Sequence, residues 1–324
     1  MCSPYQHLSI AEREKILVLT AQGESIRCVA AQLGRAPSTI SRELRRNAPY
    51  DEGYAAYSAQ SKYRLRRKRC KRKRRLDDPT LSEWVEAKLL LYWSPEQISG
   101  RLAYEQNKRV ISFVTIYRAM HQGNLPGVSN DCLRRKGRKY SPSASETRGR
   151  LHGHKTIHER PVSAQNRSYY GHWEGDTVRG ALNKGCLATF VDRRSRYLLA
   201  GLMPDRKAAT LNATMEACFS GYPKSLLRSF TVDHGNEFFS YPQIENALQT
   251  AVYFADPYSA WQRGSNENTN GLLRQYFPKK FDFHAVTQAD VNRVVDLLNH
   301  RPRKTLGFRT PAEVFPLNRL LHLL

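Results

Sequence analysis

A run of fourteen residues, Lys62 to Arg75, contains 11 Lys or Arg side chains and no Asp or Glu. Such a run stays out of any apolar core, because an unpaired ion is costly to bury. Like charges at this density repel one another unless an anion neutralises them. The run therefore predicts a phosphate-binding arm. A solvated linker or a localisation-like tract is the alternative.

The charge of the whole chain points the same way. The 324 residues carry a net charge of +23 with a pI near 10.0, which indicates a polyanionic partner, with nucleic acid as the first candidate. The excess lies mainly in residues 1–150, which hold 30 basic and 14 acidic side chains. A membrane-surface protein would have a similar charge, but no apolar run of about 18 residues and no signal peptide is present. We therefore expect no membrane partner.

Length and cysteine usage narrow the class further. A chain of 324 residues favours about two domains and can bury at least one sizeable core. The six cysteines are scattered singly and form no CxxC pair, which indicates reduced thiols and a cytoplasmic location.

Three short helices are predicted in a first domain of residues 1–50. Ser9 begins the first helix with a capping box. Ser25 can cap the second, and Gly34 supplies the left-handed residue that ends it. The third helix opens near Pro37, as proline favours the first turn.

The third helix has the character of a recognition helix. Ile40 and Leu44 share an apolar face, and polar or basic side chains occupy the rest. Short hydroxyl groups followed by arginines suit insertion into a major groove, with phosphates held behind. The pattern predicts a helix-turn-helix, with an ordinary three-helix bundle as the alternative. The expected DNA contacts are Ser38, Thr39, Ser41, Arg42, Arg45 and Arg46.

The basic arm spans residues 51–80. A helix from about Tyr54 is predicted because Gly and Pro are absent as far as Arg75. We expect this arm to contact DNA phosphates through Arg66, Arg67, Lys68 and Arg69.

A second helical region follows in residues 81–130. It contains a helix from Leu81, a helix that Ser94 and Pro95 begin, and a helix from Phe113 to about His121. Three short helices favour a second helix-turn-helix and a simple helical spacer about equally. Residues 131–160 mix Arg, Lys, Ser and Gly without periodicity, which predicts a basic linker.

Residues 161–324 have an α/β pattern. Strands are predicted at 171–178, 187–192, 196–202, 229–232 and 251–254, with helices at 208–219 and 241–248. Period-two spacing puts Glu174 and Asp176 on one face of the first strand. Asp233 follows the fourth strand, at the carboxyl end where α/β sheets form their sites.

A further helix is predicted within the segment WQRGSNENTNGLLRQYFPK, with Ser265 or Asn266 as its cap. Helical spacing places four residues on one face, opposite an apolar face that can pack on a sheet. These four residues are Glu267, Asn270, Gly271 and Arg274.

Three acids therefore lie on two strands and a helix: Asp176, Asp233 and Glu267. Hard divalent cations prefer oxygen ligands, and two-metal phosphoryl transfer uses carboxylates from several elements. Single acids are usually solvated charges, so this spacing alone is weak. Glu174 is a rival for the first position, with a supporting role beside the site as its alternative.

Other polar and aromatic candidates are weaker. Asp192, Asp256 and Glu237 are expected to be surface or turn charges. His152, His154 and His158 are interpreted as loop residues because no paired cysteines accompany them. The aromatic rings of Trp261, Tyr258 and Phe277 fit base stacking, although such residues beside a helix are more often core.

Five stretches together resemble a known family. They are GHWEGDTV, TVDHGNEF, WQRGSNENTNGLLRQYFPK, NHRPRKTLGFRTPAEVF and SIRCVAAQLGRAPSTISRELRRN. The chain resembles the IS-thirty (IS30) family of bacterial insertion-sequence transposases. This resemblance implies a DDE transposase with an RNase H-like core, and it maps the catalytic triad to Asp176, Asp233 and Glu267. Arg274 matches the basic residue on the same helix and is expected to contact a DNA phosphate. The chain departs from the family pattern at Asn236, where a basic residue is expected nearby, and at Ala260, where proline is usual.

The resemblance also implies the reaction and the partners. A transposase of this family would bind the terminal inverted repeats of its element, cleave them and join the ends to target DNA. The expected cofactor is Mg²⁺, two ions per site, with Mn²⁺ as a substitute. The expected partners are double-stranded DNA and further copies of the chain, as a homodimer or larger synaptic assembly, in a cytoplasm and associated with the bacterial nucleoid. A DNA-binding regulator with an oligomerisation domain and a nuclease without strand transfer are the alternatives.

Overall fold

The computed structural model describes residues 6–48, 53–70, 74–134, 154–257 and 259–316. The chain divides into two compact units, Met1–Asp77 and Asp78–Leu324. The second helical region and the α/β region lie together in the second unit. Within the described residues, no helix combines the length and the apolar character that crossing a bilayer requires.

The first unit is all-helical. Its helices are α1 (Ile10–Ala21), α2 (Ile26–Gln32), α3 (Pro37–Asn47) and α4 (Ala56–Cys70). The caps predicted for α1 and α2 are confirmed. Ser9 and Glu12 form the capping box, and Ser25 accepts from the Cys28 N–H at 3.3 Å. Gly34 follows α2 with a φ of +61°, which glycine adopts without steric cost.

Helix α3 is fixed by a buried ion pair. Arg13 of α1 donates to Glu43 of α3 at 2.7 Å, and the Tyr54 hydroxyl donates to the same carboxylate at 3.2 Å. Ile40 is fully buried between these helices. Five of the six predicted DNA contacts on α3 are exposed, and Thr39 is half-buried. The unit therefore presents one polar, basic face of α3 to solvent.

The basic arm contains the predicted helix, α4, over Ala56–Cys70. Helix α4 ends at Cys70, and residues 71–73 lie outside the described part of the chain. Arg66 donates to the Asn47 side-chain oxygen at 3.0 Å, which ties the arm to the end of α3. Arg67, Lys68 and Arg69 are exposed.

The second unit begins with α5 (Pro79–Leu90), α6 (Pro95–Gln106) and α7 (Phe113–His121). Helix α6 contacts the C-terminal region of the same unit. Gln97 donates to the Pro302 carbonyl at 2.8 Å, and Arg101 pairs with Glu313 at 2.7 Å. Their interpretation as a second helix-turn-helix stays a prediction. Most of the predicted linker, residues 135–153, lies outside the described part.

A five-stranded mixed sheet forms the centre of the second unit. Its strands are β1 (His172–Arg179), β2 (Cys186–Asp192), β3 (Leu198–Met203), β4 (Ser229–Val232) and β5 (Ala251–Phe254), in the order β3-β2-β1-β4-β5. Strand β2 is antiparallel to β1 and β3, and β1, β4 and β5 are parallel. The remaining helices are α8 (Val162–Gln165), α9 (Ala208–Phe219), α10 (Tyr241–Leu248), α11 (Gly264–Leu273), α12 (Gln288–Asn299) and α13 (Pro311–Val314). This α/β arrangement is RNase H-like, as predicted.

Helices cover both faces of the sheet. Trp173 and Phe190 pack on one face with Phe219 of α9. Val178 packs on the opposite face with Leu272 and other apolar residues of α11 and α12. The alternation along β1 thus directs its even-numbered side chains towards α11. In the parallel register Glu174 pairs with Thr231, which brings Asp176 and Asp233 to the same level at one edge of the sheet.

His172, at the start of β1, makes the fold sensitive to acid. It is buried between the hydroxyls of Ser163 at 3.0 Å and Ser229 at 2.7 Å. Burial lowers its pKa to about 4, helped by nearby arginines. The folded protein keeps the ring neutral while the unfolded chain binds a proton below about pH 6.5, so stability is lost as pH falls from about 6.5 to about 4. His172→Asn should flatten this part of the pH profile of the unfolding free energy, measured by urea titration; an unchanged slope would exclude His172 as its source.

Candidate active site

Asp176 and Asp233 meet at the carboxyl end of β4 around one guanidinium. Arg263 Nη2 lies 3.0 Å from Asp233 Oδ2, and Arg263 Nη1 lies 3.6 Å from Asp176 Oδ1. The Asp176 side chain remains 27% exposed, and those of Asp233 and Arg263 are 14% and 13% exposed. The structure thus brings two of the three predicted acids together at an open edge. Sequence reasoning did not single out Arg263.

The electrostatics of this pair favour a positive charge between the two carboxylates. Burial raises the pKa of Asp176, and the neighbouring charges of Asp233 and Glu237 raise it further, while Arg263 lowers it. Two carboxylates that share a site repel each other unless a cation lies between them. Arg263 supplies that charge from the chain itself.

Glu267, the third predicted acid, lies on the exposed surface of α11. Asn270, one turn later, donates to Asp176 Oδ2 at 3.0 Å, so this side of the helix faces the first acid. Nevertheless, in the described parts of the chain no three His, Cys, Asp or Glu side chains are grouped closely enough to hold a metal ion. The structure therefore does not place Glu267 in one cluster with the two aspartates.

The Glu174 carboxylate is used in hydrogen bonds inside the fold. It is fully buried, and its carboxylate accepts from Arg193 and from the backbone N–H of Asn266 at 2.9 Å. Helix α11 begins at Gly264 and has no side-chain cap from Ser265 or Asn266, so the predicted caps are wrong. A carboxylate from β1 satisfies the first turn instead and interacts favourably with the helix dipole. Glu174 therefore fixes the start of the helix that carries Glu267.

Two asparagines on α11 continue this attachment to the sheet. The Thr189 hydroxyl of β2 lies 3.3 Å from Asn266 Oδ1 and 3.1 Å from Asn270 Oδ1. Asn266 also donates to the Glu174 carbonyl at 3.3 Å. Sequence reasoning missed these roles, although the i, i+4 spacing within NENTN puts both amides on one side of a helix.

Glu237 is a second buried carboxylate beside the site. It is 3% exposed, accepts from the Thr177 hydroxyl at 2.8 Å, and pairs with Arg206. A Cβ on Gly235 would lie 2.6 Å from Glu237 Oε2 and 3.0 Å from Asp233 Oδ1, so a larger residue in this turn would have to displace these two carboxylates. Glu237 was expected to be a surface or turn charge; it lies in the short turn Asn236–Phe238 but is buried rather than at the surface, because donors from other segments satisfy it inside the fold.

Asp192 was also expected to be a surface or turn charge; it lies at a turn, as expected, but not at the surface. It is fully buried at the end of β2 and accepts from the Ser195 N–H at 2.7 Å, the Ser195 hydroxyl at 2.6 Å and the Gly171 N–H at 2.9 Å. Asp192 therefore shapes the turn into β3. Asp256 lies in the turn after β5, as expected, and bonds to His158 at 2.9 Å.

Arg274 is engaged with the main chain. It donates to the Arg179 carbonyl at 2.8 Å and to the Pro278 carbonyl at 3.2 Å. These bonds fasten the end of α11 to the end of β1. A DNA contact by Arg274 stays a prediction.

The aromatic candidates differ in exposure to solvent. Phe277 is buried in the core cluster with Leu272 and Phe283, whereas Trp261 is 74% exposed. Tyr258 lies outside the described residues, as does His152. The His154 ring packs against the rings of His234 and Phe254.

Comparison with known proteins identifies the family. The chain is 39% identical over 319 residues to the transposase for insertion sequence element IS1086 of Cupriavidus metallidurans, covering 96% of this chain and 94% of that protein. It is 38% identical over 321 residues to the transposase InsI for IS30A of Escherichia coli K12, covering 95% and 83%. The chain belongs to the IS30 family of transposases.

Two domain families match within this IS30-family chain. Residues 4–47 match the helix-turn-helix domain family, and residues 167–260 match the integrase core domain family. The second range contains Asp176 and Asp233 and ends before Glu267. Among solved structures, the catalytic core domain of BIV integrase is similar, with 17% identity and a TM-score of 0.36 over 48% of this chain and 99% of that chain.

The donor set of this IS30-family site fits a divalent cation. Asp176 and Asp233 offer carboxylate oxygens, which hard cations such as Mg²⁺ prefer. The guanidinium between them shows that a positive charge is stabilised at this point. The chemistry of the residues present is therefore compatible with the metal that integrase-core enzymes generally use.

Proposed function

We propose that this chain is a transposase that binds the terminal inverted repeats of its element and catalyses DNA cleavage and strand transfer at Asp176, Asp233 and Glu267. The observation that carries the proposal is that Asp176 and Asp233 converge on the guanidinium of Arg263 at the carboxyl edge of an RNase H-like sheet. The transposase relatives that align with nearly the whole chain support it.

In the proposed site, Asp176 and Asp233 would hold the divalent cations, and Glu267 would complete the ligand set from α11. Two Mg²⁺ ions, or Mn²⁺ in their place, would when bound lower the pKa of the attacking group and stabilise charge on the leaving oxygen. Asn270 orients Asp176 through its bond to Oδ2. Glu174 and Asn266 fix the first turn of α11, and so the height of Glu267 above the sheet.

Both proposed steps are displacements at phosphorus. In cleavage, a water oxygen attacks the phosphodiester and the 3′ oxygen leaves as a hydroxyl. In strand transfer, that 3′-hydroxyl attacks a target phosphodiester and displaces another 3′ oxygen. Each step breaks one P–O bond and forms one, so no covalent protein–DNA intermediate is needed.

The first unit is proposed to recognise the element ends. The exposed polar face of α3 suits a major groove, and the exposed basic side chains of α4 suit phosphates. Because two ends must be joined in one event, we propose a homodimer or larger assembly. Target DNA is the second nucleic-acid partner.

Arg42→Ala tests the proposed recognition helix. Arg42 is exposed on α3, and loss of a base-edge contact should weaken specific binding by about 1–3 kcal/mol. Fluorescence anisotropy on end DNA and on unrelated DNA, over a salt series, measures this. Equal weakening on both DNAs would assign Arg42 to phosphates instead.

The decisive experiment is an end-cleavage and joining assay. Full-length protein is incubated with a labelled duplex of the element end and a target plasmid, in Mg²⁺ or in chelator. A transposase yields both cleaved ends and joined products only with the metal. Cleavage without joining would indicate a nuclease, and binding with neither product would indicate a regulator.

A further inference from the structure

Trp261 keeps most of its indole in water. It is 74% exposed, whereas Trp93 and Trp173 are buried and Trp84 is half-buried. Indole carries a large apolar and π surface that proteins usually bury. Single exposed apolar side chains are common and need no ligand by themselves. The position and the fixation of Trp261 are what distinguish it.

The turn that carries Trp261, Ala260–Arg263, is held by the two residues that follow the indole. Gln262 donates to Asp256 Oδ2 at 2.8 Å and accepts from the Asp256 N–H at 2.8 Å. Arg263 is bound to Asp233 and to the Gly175 carbonyl at 3.2 Å. The exposed indole is therefore mounted on a fixed turn.

This turn lies directly beside the two acids. Trp261 precedes Arg263 by two residues, so their Cα atoms are at most about 7 Å apart. The exposed indole is therefore within reach of a DNA strand whose phosphate lies at Asp176 and Asp233. A DNA strand at this place presents phosphate oxygens and the faces of its bases, and an aromatic ring such as indole binds the base faces.

We propose that Trp261 stacks on a nucleobase at the DNA end that Asp176 and Asp233 hold. The proposal rests on the proposed function and adds to it a residue that positions the end. Stacking tolerates any base, because each has a π face. The indole thus holds the strand at the cutting site without adding sequence specificity, which remains with the first unit.

The test uses the full-length protein in Ca²⁺, a hard divalent cation that carboxylates bind, under conditions where no cleavage product forms, so that binding is measured without chemistry. The probe is a duplex of the element end with 2-aminopurine at its terminal nucleotide, and a second duplex carries 2-aminopurine in the interior. Anisotropy reports binding and 2-aminopurine fluorescence reports stacking. The variants are Trp261→Ala, Trp261→Phe, and Tyr169→Ala, an exposed aromatic that precedes β1 at the opposite edge of the sheet.

Trp261→Ala should weaken end binding about fivefold or more and abolish the fluorescence change of the terminal probe. Trp261→Phe should retain most of both effects because it keeps a ring, and Tyr169→Ala should change neither. Thermal midpoints confirm that each variant is folded. An unchanged terminal signal in Trp261→Ala would overturn the stacking proposal while leaving the proposed function intact. Failure of the wild type to bind end DNA would instead overturn the proposed function, and this proposal with it.

Discussion

Asp233→Asn is expected to abolish cleavage and joining of end DNA. The amide keeps the shape and nearly the volume of the carboxylate but removes the charge that a hard cation requires. The rate loss should exceed the roughly 10–100-fold typical of residues that act only through a ligand. Asp176→Asn and Glu267→Gln should behave alike, because two-metal phosphoryl transfer depends on the whole ligand set. Single-turnover cleavage of labelled end DNA in Mg²⁺ measures the effect.

The controls separate chemistry from binding. In chelator, where no metal couples the DNA to the acids, all three variants should bind end DNA as the wild type does, since the proposed recognition surface lies on α3 and α4. Retained cleavage in any one of them would remove that residue from the triad. This matters most for Glu267, which lies outside the cluster that Asp176 and Asp233 form with Arg263.

Glu174→Gln is expected to cost about 3–5 kcal/mol of folding stability. Its carboxylate is fully buried against Arg193, and removal of one partner leaves the other as an uncompensated buried charge. The substitution also weakens the bond between the Asn266 backbone N–H and the Glu174 carboxylate, which caps the first turn of α11. Urea unfolding measured at neutral pH gives the free-energy difference.

Two matched substitutions make this prediction specific. Glu96→Gln breaks an exposed pair with Lys304 and should cost less than about 1 kcal/mol. Asp176→Asn should cost little or nothing, because burial already disfavours the charged form of that carboxyl. If Asp176→Asn destabilised the fold as strongly as Glu174→Gln, the division of roles between the two acids on β1 would be wrong.

Local chemistry was sufficient to predict most elements. The caps at Ser9, Ser25 and Ser94 lie where the sequence places them, because each hydroxyl satisfies an N–H of its own helix. The strand Ser229–Val232 and the helix Ala208–Phe219 have the predicted bounds. Alternation along β1 correctly placed Glu174 and Asp176 on one face, since both contact α11.

Most of the differences involve partners distant in sequence. The cap of α11 comes from Glu174, about ninety residues away, so Ser265 and Asn266 offered a local but wrong solution. Glu237 is buried because the Thr177 hydroxyl and Arg206 reach it from other segments. The buried Asp192 combines a distant donor, the Gly171 N–H, with two local donors on Ser195. The position of Arg263 between the two acids could not be predicted from the sequence, because most arginine side chains are solvated. Which charges enter a fold depends on the tertiary arrangement of donors, which periodicity does not encode.

The Arg263 guanidinium between Asp176 and Asp233 has a consequence for how the site would take up a metal ion. If the site binds metal as proposed, a divalent cation entering there would have to displace the Arg263 guanidinium, and its apparent affinity would be reduced by the cost of releasing that side chain. A DNA phosphate would give the released side chain a new partner. Metal and DNA would then favour each other's binding, and by thermodynamic reciprocity they would do so equally. Without DNA, Arg263 would remain the positive charge between the two acids.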